Sequence, residues 1–291
     1  MKVLITGAHG QVGRSLLATV PEAVTAIGLS HAELDIGDAA AVHRVIAAQR
    51  PQVILNAAAY TAVDRAETDS ESARRVNALG PRHLAEAAAA QGARLLHLST
   101  DFVFDGRSST PYTPEAPTAP LGAYGRSKLE GEQAVRALLP QASVVLRTAW
   151  VYAAQGRNFL LTMLRLMAEQ HQVRVVCDQI GTPTAASSVA EVLWALTARP
   201  EISGVHHFTD AGTASWYDFA MAICEEATRL GLLPPGVTVT PIRSAEYPSA
   251  ARRPAYSVLD CSTLLAALPV PQRHWRDTLR ETLRSLQSPS C

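Results

Sequence analysis

Lys2-Val3-Leu4-Ile5-Thr6-Gly7-Ala8-His9-Gly10-Gln11-Val12-Gly13 is the stretch that decides the fold. Val3 to Thr6 reads as a short buried strand. Gly10 to Val20 reads as a helix, so the glycine segment follows the strand directly and opens the helix. Gly7 permits a tight turn. Gly10 lets the backbone approach a bound pyrophosphate. Gly13 lets helix and strand pack closely. The helix N-terminus adds free N–H groups and a partial positive charge, which suit a phosphate. Gly7, Gly10, Gln11, Val12 and Gly13 are therefore candidate contacts to a dinucleotide.

Working outward, the first half alternates strand and helix. Strands are expected at Val24–Ile27, Val53–Asn56, Arg94–Leu98 and Val144–Arg147. Helices are expected at 39–49, at 70–91 with an interruption near Gly80-Pro81, and at 124–139. Asp38 is placed to cap the helix at 39. Short apolar strands separated by helices call for a parallel sheet covered on both faces. The expectation is an α/β fold: a Rossmann-like doubly wound parallel sheet with a smaller, discontinuous substrate-binding domain. Residues 1–150 would form the dinucleotide-binding domain. Residues 151–291 would form mostly the second domain, with segments returning to the sheet. Residues 231–257 read as Pro-rich and irregular, and Trp275 to Leu286 as a closing amphipathic helix.

The loop from Phe104 to Leu121 carries Gly106, Pro111, Pro114, Pro117 and Pro120, which leave no room for a helix. It follows the fourth strand, so it is a candidate lid or substrate wall.

The second strand ends in Gly28-Leu29-Ser30-His31, with no acid at its tip. An acid there would hold the adenosine ribose and select NAD; its absence leaves room for a 2′-phosphate, with Arg14 as a candidate partner. Asp35 and Ile36 are placed for the adenine side. The third strand ends in Asn56-Ala57-Ala58-Ala59-Tyr60-Thr61, whose small residues permit close contact with a cofactor. NADPH and NADH both stay open.

The reacting end is read from Tyr124-Gly125-Arg126-Ser127-Lys128, preceded by Ser99-Thr100-Asp101. Lys2 and Lys128 are the only lysines among 26 basic residues. A chain that otherwise uses arginine keeps a compact, titratable ammonium one helical turn from a tyrosine. On one helix face, Lys128 is expected to lower the Tyr124 pKa and make it a proton donor near neutral pH. Thr100 would donate to the developing oxyanion. Lys128 would also hold the nicotinamide ribose. Thr100, Tyr124 and Lys128 are the candidate catalytic group.

Composition excludes other classes. The formal net charge is zero, with 47% hydrophobic and 18% charged residues. No basic stripe favours nucleic acid. No apolar run is long enough for a membrane span and no signal peptide is read, so a cytoplasmic location is expected. Cys177, Cys224, Cys261 and Cys291 lack metal spacing and are read as inert thiols.

Together these residues resemble the extended short-chain dehydrogenase/reductase superfamily, and within it the dTDP-4-dehydrorhamnose reductase family. The resemblance rests on the glycine turn, NAAAYTAVDRAE from Asn56, STDFVFDG from Ser99, YGRSKLEGE from Tyr124, RTAWVY from Arg147, DQIGTPT from Asp178 and RRPAYSVLD from Arg252. It covers nearly the whole length. It implies reduction of the 4-keto group of a dTDP-bound 6-deoxy sugar by NADPH or NADH. It implies Gly10, Gln11, Val12, Asp35, Ile36, Ala59, Tyr60 and Thr61 near the dinucleotide, and Thr100, Asp101 and Trp150 near the sugar. It implies Asn158 and Arg253 as contacts to the nucleotide diphosphate. Phe102 departs from the family's usual Tyr. Some members bind magnesium through glutamates at a dimer interface. Only Glu191 and Glu281 are even loosely placed for this, so no metal is expected and a homodimer stays open. The alternatives are a nucleotide-sugar epimerase or dehydratase, and a non-catalytic regulatory subunit of methionine adenosyltransferase type. A dehydratase wants an Asp-Glu pair, where this chain has Asp101-Phe102.

Overall fold

In the computed structural model, residues 1–287 are described, so Cys291 lies outside them. The first half gives β1 (Lys2–Thr6), α1 (Gln11–Ala18), β2 (Thr25–Leu29), α2 (Ala39–Gln49), β3 (Val53–Asn56), α3 (Val63–Ala66), α4 (Ser70–Arg74), α5 (Gly80–Gln91), β4 (Arg94–Thr100), α6 (Ala123–Leu138) and β5 (Ser143–Thr148). Asp38 caps α2 by accepting from the Ala41 amide at 3.0 Å. The helix expected over 70–91 is divided differently from the sequence reading. A π-helical segment, Arg75–Leu79, sits between α4 and α5. Pro81 falls in the first turn of α5, where a missing N–H costs nothing, so the chain stays helical through it.

The second half gives β6 (Val151–Tyr152), α7 (Phe159–Glu169), β7 (Gln172–Val176), β8 (Ile180–Gly181), β9 (Thr184–Ala185), α8 (Ala186–Thr197), β10 (Gly204–His207), β11 (Ala214–Ser215), α9 (Trp216–Arg229), β12 (Thr238–Ile242), α10 (Ser262–Ala267) and α11 (Trp275–Gln287). The stretch read as irregular over 231–257 contains β12, which pairs in parallel with β7 from Thr238↔Gln172 to Ile242↔Val176. Pro241 within it hid the strand from sequence reading.

One six-stranded sheet has the order β10-β5-β4-β3-β1-β2, all neighbours parallel. After β1 the chain steps outward to the edge strand β2 and then returns to the other side as β3. That reversal opens a crevice at the C-terminal ends of β1 and β3. The apolar runs of the central strands are buried on both faces. Leu4, Ile54, Leu95 and Val145 pack with Ile46 and Leu84 under α2, α5 and α6. Val3, Ile5, Leu55 and Leu146 pack with Leu16, Val189 and Leu193 of α1 and α8. A separate core of Leu160, Met167, Val173, Phe219, Ile223 and Leu279 joins α7, α9, α11, β7 and β12 beside the sheet.

Candidate active site

The glycine turn is as tight as its sequence suggests. Gly7 has φ 70°, and a Cβ there would lie 2.6 Å from the Ala58 amide nitrogen. A Cβ on Gly13 would lie 2.2 Å from the Gly7 carbonyl oxygen. Among the described residues no side chain caps the start of α1, which leaves its first N–H groups available to a ligand. Val12 turns its side chain into the core beneath. Gln11 is held by Asn158, whose Nδ2 donates to Gln11 Oε1 at 2.9 Å.

At the tip of β2 the sequence reading needs correction. An acid is present there. Glu33 comes back through a turn closed by Glu33 N→Ser30 O and Leu34 N→Ser30 O, and its Oε2 accepts from Ser30 N at 2.8 Å and Ser30 Oγ at 2.7 Å. These bonds hold the carboxyl below its usual range. Arg14, the expected partner of a 2′-phosphate, instead turns Nε onto the His9 carbonyl at 2.9 Å. Asp35 is tied to Arg75 Nη1 at 2.7 Å. Ile36 faces the core, not the crevice.

The loop after β3 meets the π-helical segment. Asn77 Oδ1 accepts from Tyr60 N at 2.8 Å, and its Nδ2 donates to Tyr60 O and to Ser127 Oγ. Ser127 Oγ in turn donates to Tyr124 O. Asn77 thus joins the loop of Ala57, Ala58, Ala59, Tyr60 and Thr61 to the helix of the reacting group. Sequence reading missed it because the Asn lay inside an expected plain helix.

Three successive residues of β4 engage three residues spaced by one turn along α6. Lys128 Nζ donates to Leu98 O at 2.5 Å. Ser99 Oγ donates to Glu132 Oε1 at 2.5 Å. Thr100 hydrogen-bonds the Tyr124 phenol. Arg147 on β5 closes the lock, with Nη2 2.7 Å from Glu132 Oε2 and both side chains buried. Thr100 Oγ1 also donates to Asp101 Oδ1 at 3.0 Å.

The electrostatics differ from expectation. Burial pushes Tyr124 up to about 12; the Thr100 bond lowers it and Asp101 raises it further. Lys128 does not offset this burial, because its ammonium is turned onto the strand carbonyl. Burial lowers Lys128 itself to about 8, opposed by Glu132. Burial raises Asp101 to about 6, against bonds from Ser257 and Thr100. Its Oδ2 is buried and unpartnered among the described residues.

A cavity of about 880 Å³ is lined by Phe159, Arg174, Trp216, Tyr247, Arg252 and Arg253 among others, and Thr100, Tyr124 and Lys128 are not part of its wall. Trp150, at φ 49°, stacks on Trp216 with centroids 3.5 Å apart and planes at 3°. Arg253 reaches the cavity but donates from Nη2 to Asp64 Oδ2 at 2.6 Å. Asn158 does not line it. It caps α7 through Leu161 N and spends Nδ2 on Gln11 and Ala153, so its expected diphosphate contact is not supported.

The family model described as the RmlD substrate binding domain matches residues 1–288. The chain belongs to this family. Among RmlD-family relatives, a probable dTDP-4,6-dihydroxy-2-methyloxan-3-one 4-ketoreductase of Streptomyces antibioticus is 45% identical over 285 residues, covering 97% of this chain and 94% of that one. A dTDP-4-dehydrorhamnose reductase of Aggregatibacter actinomycetemcomitans is 41% identical, covering 96% and 97%. A dTDP-4-dehydrorhamnose reductase from Bacillus anthracis, solved in complex with NADP, superposes with a TM-score of 0.92 at 34% identity, covering 98% and 99%.

The magnesium that some RmlD-family members bind does not fit the residues here. Arg273 stands between the two glutamates, with Nη1 2.8 Å from Glu281 Oε2 and Nη2 3.5 Å from Glu191 Oε2. A guanidinium already occupies the place between the two carboxylates that a cation would need. Cys177, Cys224 and Cys261 are free thiols.

Proposed function

We propose that the protein is an NAD(P)H-dependent reductase that converts the 4-keto group of dTDP-4-dehydro-6-deoxy-L-mannose to the alcohol of dTDP-L-rhamnose. The observation that carries this reading is the β4–α6 lock, in which Lys128 and Tyr124 of α6 face Leu98 and Thr100 at the end of β4. The turn, the uncapped start of α1, the small residues Ala57–Ala59 and the buried Lys128 fit a nicotinamide dinucleotide. The cavity of about 880 Å³ has the volume of a small-molecule site and presents arginines and aromatics, as a nucleotide diphosphate needs.

When bound, the cofactor supplies a hydride to C4 of the sugar. Tyr124 gives its phenolic proton to the carbonyl oxygen, so the C=O becomes CH–OH. Its high pKa keeps that proton in place until the oxyanion develops. Thr100, oriented by Asp101, stands beside the same oxygen. Lys128 would hold the ribose hydroxyls of the cofactor with the ammonium hydrogens that Leu98 O leaves free. Trp150 and Trp216 form the wall against which the sugar and nucleotide are positioned, and Arg253 serves the diphosphate once released from Asp64.

The test is direct. The purified protein is given dTDP-4-dehydro-6-deoxy-L-mannose with NADPH or NADH, and both cofactor absorbance and product configuration are followed. Stoichiometric cofactor oxidation with formation of dTDP-L-rhamnose is expected. Oxidation of neither cofactor, or the opposite configuration at C4, overturns the reading. The Streptomyces antibioticus relative favours a second reading, reduction of another dTDP-linked 4-keto deoxysugar. A higher kcat/KM on such a sugar would select it.

A further inference from the structure

We infer that Glu33 sets the choice of cofactor: its carboxylate, clamped on the tip of β2, receives the adenosine ribose hydroxyls and repels a 2′-phosphate, so the chain favours NADH over NADPH. The inference rests on the dinucleotide reading of the glycine turn.

Three observations lead to it. The first is position. Glu33 Oε2 is bonded to Ser30, at the end of the strand next to β1, and Ala8 N donates to Leu29 O, so the β2 tip lies against the glycine turn. In a doubly wound sheet the adenosine ribose reaches this edge, and an acid about 20 residues beyond the glycines accepts its 2′-hydroxyl. Glu33 stands 20 residues after Gly13.

The second is the spending of donors. A 2′-phosphate at this tip needs N–H, O–H or cationic groups. The Ser30 amide and hydroxyl both donate to Glu33. Arg14 Nε donates to the His9 carbonyl, and its Nη1 reaches Gln155 at 3.4 Å. Arg75 is paired with Asp35, and His31 faces the same Asp35 at 4.0 Å. Among the described residues, His9 is the basic side chain that acts on Glu33 through space.

The third is the free acceptor. Both Ser30 bonds fall on Oε2, so Oε1 of an exposed carboxylate has no protein partner among the described residues. It can accept a hydroxyl. Beside a phosphate it is a like charge, which is unfavourable.

Binding alone tests this. NADH and NADPH are titrated by their fluorescence into the wild-type protein and into Glu33→Gln, without sugar, and 5′-ADP and 2′,5′-ADP are compared as competitors. Wild type is expected to bind NADH on the order of tenfold tighter than NADPH. Glu33→Gln is expected to narrow that gap by about tenfold, through a gain for the phosphorylated ligands. Three results overturn the inference: a wild-type preference for NADPH, an unchanged gap in the variant, or an equal loss of both cofactors, which marks Glu33 as a turn former only. A preserved NADH preference without turnover of the 4-keto sugar sinks the proposed reaction and leaves this inference standing.

Discussion

Tyr124 carries a proton that burial makes hard to lose, with its pKa pushed up to about 12. Such a group is a proton donor that waits for a strong base, and the oxyanion formed by hydride addition is one. Tyr124→Phe should lower kcat by about 10²- to 10⁴-fold with cofactor binding retained, as measured by turnover and fluorescence titration. Lys128 gives the pH dependence. Its pKa is depressed to about 8, so the ammonium is lost as pH rises through that value. Cofactor affinity and kcat/KM should fall on the alkaline side of about pH 8. The stability effect has the opposite sign. Between about 8 and the ordinary lysine value the unfolded chain holds the proton and the folded one does not, so this group's contribution to stability rises with pH across that window. The motif told the sequence reader which residues meet. It did not tell their pKa values, because the chain alone does not say how much water each side chain keeps.

At the scale of elements, the pairing of β4 with α6 is what holds the site. Leu98, Ser99 and Thr100 each take one residue of a helix stripe: Lys128, Glu132 and Tyr124. Glu132→Gln leaves the buried Arg147 without its counter-charge and should cost about 3–5 kcal/mol, read as a lower denaturation midpoint. It also removes the carboxylate that holds the Lys128 pKa up. The alkaline limb should therefore move to lower pH, a shift that structural loosening alone does not produce. Strands and helices of the first half were legible because their apolar runs and glycine punctuation repeat every few residues. The π-helical segment with Asn77, and β12 with its Pro241, were not. A π turn has no composition of its own, and a proline argues against a strand until a partner such as β7 is known. Glu33 was missed for a related reason. It is off the strand in sequence and returns to it only through the turn at Ser30.

Across the whole molecule, the large cavity is walled by residues between 159 and 255, and two first-half residues touch that wall. Trp150 follows β5 and stacks on Trp216, the first residue of α9. Asp64 from α3 pairs with Arg253, far along the chain. A ligand lying there ties the two layers together. At about 100 times its Kd, dTDP should stabilise the protein by about 2.7 kcal/mol. A scanning thermal melt with and without dTDP checks this. An unchanged melting point would argue against the cavity as the nucleotide site. The Trp216→Ala variant should lose most of the dTDP-induced shift. The general architecture was readable from the βα rhythm. The placing of α8 and β10, from beyond residue 150, onto the first-half sheet was read only as segments returning to it.

The scarcity of lysine has a practical consequence for chemistry done on the intact protein. Lys128 is 2% exposed, and Lys2 and the N-terminus are the other primary amines. An acylating reagent therefore meets an almost amine-free surface. Its slow adduct at Lys128 becomes a clock for how often the site opens. In a mass spectrum, that adduct should build up in the free protein and be blocked by saturating cofactor, while the Lys2 adduct is indifferent to it. Few enzymes let a single covalent tag report on one buried nitrogen without first removing competing lysines. Here the composition of the chain has already done so.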